Sequence, residues 1–155
     1  MAVFKLQLEE FSTTNFELIA IHTSLEVTKL AFVFNKNLNT KFRFFDVIDK
    51  NEKKKSSSFD RYVFDDHERD MTWNLLENKS SVNTVNSDDF LMMQFNQIMY
   101  LVPEFKQADF ILKIDSENKS IDHKSIVNEI KKIKYVSMTY VLDTKKIKTK
   151  SNLIF

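Results

Sequence analysis

An α+β domain, with two helices packed on one face of a mainly antiparallel sheet, is the fold class that this sequence predicts. Three observations lead there. Apolar residues recur at helical spacing in only two stretches, they alternate with polar residues in several short ones, and the order is strand–helix–strand at each end with hairpin strands between. Segregated helices and sequential strands are the pattern of helices on one side of an antiparallel sheet. No internal repeat or composition break divides the chain, so residues 1–155 are expected to form one domain.

The elements follow in order. Phe4, Leu6 and Leu8 alternate with polar residues, which predicts an opening strand. A polar turn at residues 12–15 leads into a second strand, Phe16–Ile21. Thr23 and Glu26 have the spacing of a capping box, and Val27, Leu30, Ala31, Phe34 and Leu38 then keep helical spacing. The helix is placed over residues 24–37. Asn35, Asn37 and Asn39 gather at its exit, where asparagine can take the left-handed cap position usually given to glycine. Lys41–Val47 alternates and reads as a strand, and Asp49–Ser58, with three lysines and three serines in a row, reads as a polar loop. Residues 61–64 and 71–76 flank a charged turn over residues 65–70, a hairpin. Ser80–Asp89 reads as another polar loop, and Ile98–Val102 and Ala108–Ile114 as strands. Ile126, Val127, Ile130 and Ile133 then define the second helix, started by Ser120 or Asp122, and Tyr135–Leu142 is rich in β-formers.

Composition closes off much chemistry. The chain has no glycine and no cysteine. Without glycine there is no phosphate loop, dinucleotide turn or nucleophile elbow, each of which needs backbone that a Cβ would obstruct. Without cysteine there is no thiolate catalysis, thiolate metal site or disulfide. With 43% apolar residues and fifteen Phe the chain is far from a disordered profile. It holds no run of 18 apolar residues that would span a membrane. The opening residues do not read as a signal peptide, so a cytoplasmic location is expected. Charge is uneven: residues 1–118 hold 14 Lys/Arg against 19 Asp/Glu, whereas residues 119–155 hold 9 against 3. The basic part contains lysine only. It reads first as a solvated face, and second as a surface for RNA or an acidic partner.

The only proline lies in the segment Val102-Pro103-Glu104-Phe105-Lys106-Gln107-Ala108-Asp109-Phe110. Pro103 pre-sets φ for the first residue of a helical turn, and Glu104 suits the positive end of that turn. The segment resembles the signature of the IPExxxVDY family of small Bacteroidota proteins. Pro103, Glu104 and Asp109 match it outright, while Val102, Ala108 and Phe110 stand for its Ile, Val and Tyr. Ile21–Glu26, Asn35–Leu38 and Asn152–Phe155 also look like that family, so the resemblance runs over nearly the whole chain. It implies no reaction and no cofactor, and the missing hydroxyl at Phe110 speaks against chemistry there.

The candidate sites each have a plainer reading. Glu104 and Asp109 could form an acid–base pair, but no His, Ser or Lys is placed to complete it, and capping and turn roles are favoured. His22, His67 and His123 form no ligand pair, and the acidic run at residues 65–70 lacks the spacing of a calcium loop. No metal or cofactor is expected. Lys41–Phe45 interleaves basic and aromatic residues as RNA-binding sheets do. A core face carrying Phe42 and Phe44 under a solvated face with Lys41, Arg43 and Phe45 explains it as well. Leu153, Ile154 and Phe155 form an apolar end after a basic stretch, and either pack on the parent domain or anchor in a partner. The leading expectation is a non-enzymatic module that binds another protein through Lys124, Lys131 and Lys132 of the second helix and through Leu153, Ile154 and Phe155. The alternative is an RNA- or ribosome-associated protein that uses the lysines of residues 119–150. An enzyme built on Glu104 and Asp109 comes third. Partner identity and oligomeric state stay open.

Overall fold

A computed structural model describes residues 15–52, 55–84, 97–117 and 120–154. Within these described residues nine strands and two helices follow one another: β1 (Asn15–Thr23), α1 (Val27–Asn37), β2 (Arg43–Glu52), β3 (Lys55–Asp66), β4 (Met71–Glu77), β5 (Lys79–Ser81), β6 (Asn83–Thr84), β7 (Ile98–Tyr100), β8 (Phe110–Ser116), α2 (His123–Lys131) and β9 (Val136–Leu142). Short 3₁₀ turns occupy Pro103–Phe105, Thr144–Lys146 and Lys150–Leu153. The main sheet runs β2-β3-β4-β8-β1-β9, every neighbouring pair antiparallel, and β6 adds two residues beside the start of β3. β5 and β7 form a separate small sheet. The chain is an α+β domain, as its periodicities predict. The expected strand at Phe4, Leu6 and Leu8 lies outside the described residues.

The strand alternation sorts side chains onto two faces. On one face Ile19, Ile21, Leu75, Leu112 and Ile114 meet both helices, which bury Leu30, Phe34, Ile126 and Ile130 against them. Trp73 is buried there too, among Phe42 and Phe64, with no hydrogen-bond partner for its indole N–H among the described residues. On the other face Leu18, Ala20, Phe59, Leu76 and Ile111 lie under Met99, Leu101, Val102, Ala108, Ile147 and Leu153. The inner strands β1 and β8 are therefore buried from both sides. That explains why Leu18–Ile21 and Phe110–Leu112 are unbroken apolar runs rather than alternating ones.

Several boundaries differ from expectation. α1 begins at Val27, not at residue 24, and the capping box does not form. The Thr23 hydroxyl accepts from the Leu25 N–H (3.2 Å) and donates to the Tyr135 carbonyl (2.8 Å), so it ties β1 to the entry of β9 instead. Asn39 does take a left-handed conformation (φ 56°), as does Asp70 (φ 53°) in the β3–β4 turn. Asp122 caps α2 by accepting from Ser125 N–H. The polar loop expected over residues 49–58 is mostly strand: Asp49 pairs with Ser58, Lys50 with Ser57 and Asn51 with Ser56. Its serines are structural, since Ser57 donates to the Ser81 carbonyl and Ser80 to the Ser58 carbonyl. Likewise, part of the loop expected from Ser80 is strand, in β5 and β6; residues 85–89 lie outside the described residues.

Candidate functional site

The segment 102–110 closes the face of the sheet opposite the helices, and a buried residue outside it organises it. Asn78 follows directly on β4 and is wholly buried. Its side-chain amide donates to the carbonyls of Phe105 and Ala108 and its carbonyl accepts from Val102 N–H, each at 2.9 Å. Its backbone adds bonds to Asp109 O and from Leu101 N–H. One side chain thus bonds three polar groups of the turn, of which the Phe105 carbonyl also accepts from the Ala108 N–H (3.2 Å) while the Val102 N–H and the Ala108 carbonyl rely on Asn78. Pro103 opens the 3₁₀ turn, while Val102, Ala108 and Phe110 are buried.

Glu104 and Asp109 hold different parts of the chain. Asp109 accepts from Thr23 N–H (3.0 Å) and from Lys79 Nζ (2.9 Å), fastening the end of β1 to the start of β5. Glu104 accepts from Lys148 N–H, Thr149 N–H and the Thr149 hydroxyl at 2.9–3.2 Å. Partial burial pushes the Glu104 carboxyl up. Its own N–H, the Thr149 hydroxyl and the Lys148 and Thr149 N–H groups outweigh that and hold it below its ordinary value. The Asn152 amide donates to Leu101 O close by (2.8 Å). These bonds lay the closing segment onto its own domain. Leu153 is 3% exposed and packs with Ile147 under the sheet, so it is not available as an anchor for a partner. Ile154 stands out at 57% exposure, and Phe155 lies outside the described residues.

The remaining candidates are dispersed. His22 Nε2 lies 3.0 Å from the Tyr140 hydroxyl, His67 is exposed in the β3–β4 turn, and His123 Nδ1 is 3.7 Å from Glu17. Among the described residues no three His, Cys, Asp or Glu side chains gather as metal ligands, and no helix is long and apolar enough to cross a membrane. Burial raises the Glu77 carboxyl; an Asp60 N–H bond opposes this and the nearby Asp60 charge adds to it. Lys124, Lys131 and Lys132 are all exposed on α2, with Lys132 beside Glu129 at 3.2 Å.

The Lys41–Phe45 stretch departs from simple alternation. Phe42 precedes β2 and is buried; Phe44 pairs in register with Tyr62 yet is exposed, and the register slips after it, where Phe45 is exposed as well. Phe44 meets Tyr62 edge-on, with ring centres 5.6 Å apart. Phe45 lies under the Arg61 guanidinium (4.5 Å), which is itself bidentate to Asp46. On α1, Thr28 contacts the Tyr62 hydroxyl and Asn35 bonds the backbone of Phe42. Phe32, on the same side of that helix, therefore flanks the same edge. Phe32 (68% exposed), Phe44 (54%) and Val47 (44%) lie along one face of β2, the outermost strand among the described residues, and Phe45 (54%) lies on its other face beside Arg61. Alternation alone would put Phe44 on the core face with Phe42, whereas Phe44 is exposed. No family model, curated protein or solved structure matches this chain.

Proposed function

We propose that this chain is a small cytoplasmic protein, similar to the IPExxxVDY family over most of its length, that acts without catalysis by binding another protein. The observation that carries this reading is the exposure of Phe32, Phe44, Phe45 and Val47 along β2, which is an outermost strand of the sheet among the described residues. Large apolar side chains cost free energy in water, and clusters of them mark interaction sites. An open strand edge adds a row of backbone donors and acceptors that an extended segment can pair with. Arg43, exposed on the same strand, favours a partner segment that carries acidic residues next to its apolar ones. The test is purification of the tagged protein from its own cytosol, with and without ribonuclease, beside a Phe32→Asp/Phe44→Lys double variant. Both substitutions fall on exposed side chains and should leave the circular dichroism spectrum unchanged. A stoichiometric partner that survives ribonuclease and is absent from the variant supports the reading; a partner retained by the variant, or no partner at all, overturns it.

A second reading, association with RNA, rests on the exposure of Lys124, Lys131 and Lys132 along α2. It requires partners that vanish with ribonuclease and an affinity that falls steeply with salt.

A further inference from the structure

At the end of β2 remote from Phe44 and Phe45, a cleft of about 390 Å³ opens between the β2–β3 hairpin and the stretch from β7 to Lys106. Its ionisable lining is Lys50, Glu52, Lys55, Lys106 and the phenol of Tyr100. Two of the lysines are held in place. Lys50 is mostly buried, its ammonium donating to the Tyr100 carbonyl at 2.9 Å and lying 3.1 Å from Glu52. The Lys106 ammonium sits 5.7 Å from the centre of the Tyr100 ring, within reach of its negative face. Among the described residues, neither Lys55 nor Lys106 has a carboxylate partner. Among the described residues, three ammonium groups and one carboxylate give the lining a charge of +2. Val82, Ile98 and Pro103 supply an apolar wall, and Ile98 is left half exposed.

We infer that this cleft binds a small organic phosphate of about mononucleotide size. A phosphate monoester carries roughly −1.5 to −2 at pH 7, which matches the charge of the lining. The volume falls within the range of small-molecule sites, about 300–1,000 Å³. The apolar wall would be idle against a bare inorganic anion, so the ligand carries an apolar body that packs on Ile98 and Pro103 while its phosphate meets Lys50, Lys55 and Lys106.

The probe is adenosine monophosphate, titrated into the full-length ¹⁵N-labelled protein and followed by amide shifts, with adenosine and inorganic phosphate as separate arms. The expected result is saturable shifts at Ile98, Tyr100 and Lys106, with both control arms at least about tenfold weaker. Lys106→Glu and Lys55→Glu, on exposed side chains, should each weaken binding about tenfold, and Lys124→Glu on α2 should leave it unchanged. No saturable shift up to about 10 mM, or equal loss in all three variants, overturns the inference. Inorganic phosphate binding as tightly as the nucleotide also overturns it, because the apolar wall then contributes nothing.

Discussion

Asn78 illustrates how much one side chain can decide. Replacing it with alanine strands the Val102 N–H and the Ala108 carbonyl in a dry interior, while the Phe105 carbonyl keeps its bond from the Ala108 N–H. At about 1–3 kcal/mol for each buried group left unsatisfied, the expected loss is about 2–6 kcal/mol, read as a lower urea midpoint. Asn78→Asp should cost at least as much, since it keeps the acceptor but sets a carboxylate against two carbonyls. A loss below about 1 kcal/mol would mean that the turn rearranges or admits water. The sequence does not reveal this role. A single Asn between Glu77 and Lys79 has no periodicity, and its side-chain partners lie 24–30 residues further on. Pro103, Glu104 and Asp109 were easier to single out, because the only proline draws attention to its own turn.

Among the elements, the two helices were legible because amphipathic spacing is a local property, and both lie close to where Val27–Phe34 and Ile126–Ile133 predict them. The polar arm of the β2–β3 hairpin was not legible. Its strand character comes from cross-strand pairing and from Ser57 lying buried beneath β5, which no stretch of lysines and serines announces. The closing segment was open to either reading from sequence, and the Glu104 bonds to Lys148 and Thr149 now make its attachment depend on one carboxylate. A carboxyl held below its ordinary 4.5 in the folded state stabilises that state above 4.5, and the contribution fades as pH falls through the lowered value. The stability gap between the wild type and Glu104→Gln should therefore be full near pH 7 and shrink as pH falls below 4.5 through the lowered value. Urea midpoints across that range measure it. A constant gap would show that the carboxylate's charge is irrelevant to the clasp.

For the whole molecule, one sheet separates two apolar layers that share β1 and β8. Residues on those strands alternate between layers, Ile19 and Ile21 facing the helices and Leu18 and Ala20 facing the closing segment. Neither layer can loosen without disturbing strands that support the other, so unfolding should be a single cooperative step. Trp73 is the only tryptophan and lies in the helix-side layer, so its fluorescence reports that layer while far-ultraviolet circular dichroism reports the entire sheet. The two urea transitions should coincide. Midpoints separated by more than about 0.5 M would mean that the layers melt independently.

The position of β1 has a consequence in time. It is made long before the strands it pairs with, β8 and β9: Ile21 lies opposite Phe110, and Leu18 opposite both Lys113 and Leu142. At ~5–20 residues per second of synthesis, the apolar run Leu18–Ile21 waits roughly 6–24 s on the ribosome before Leu142 has even been added. α1 can cover one side of it early, but not its backbone edges. The apolar edge of β1 is therefore exposed to aggregation longest during synthesis, before the strands that pair with it exist.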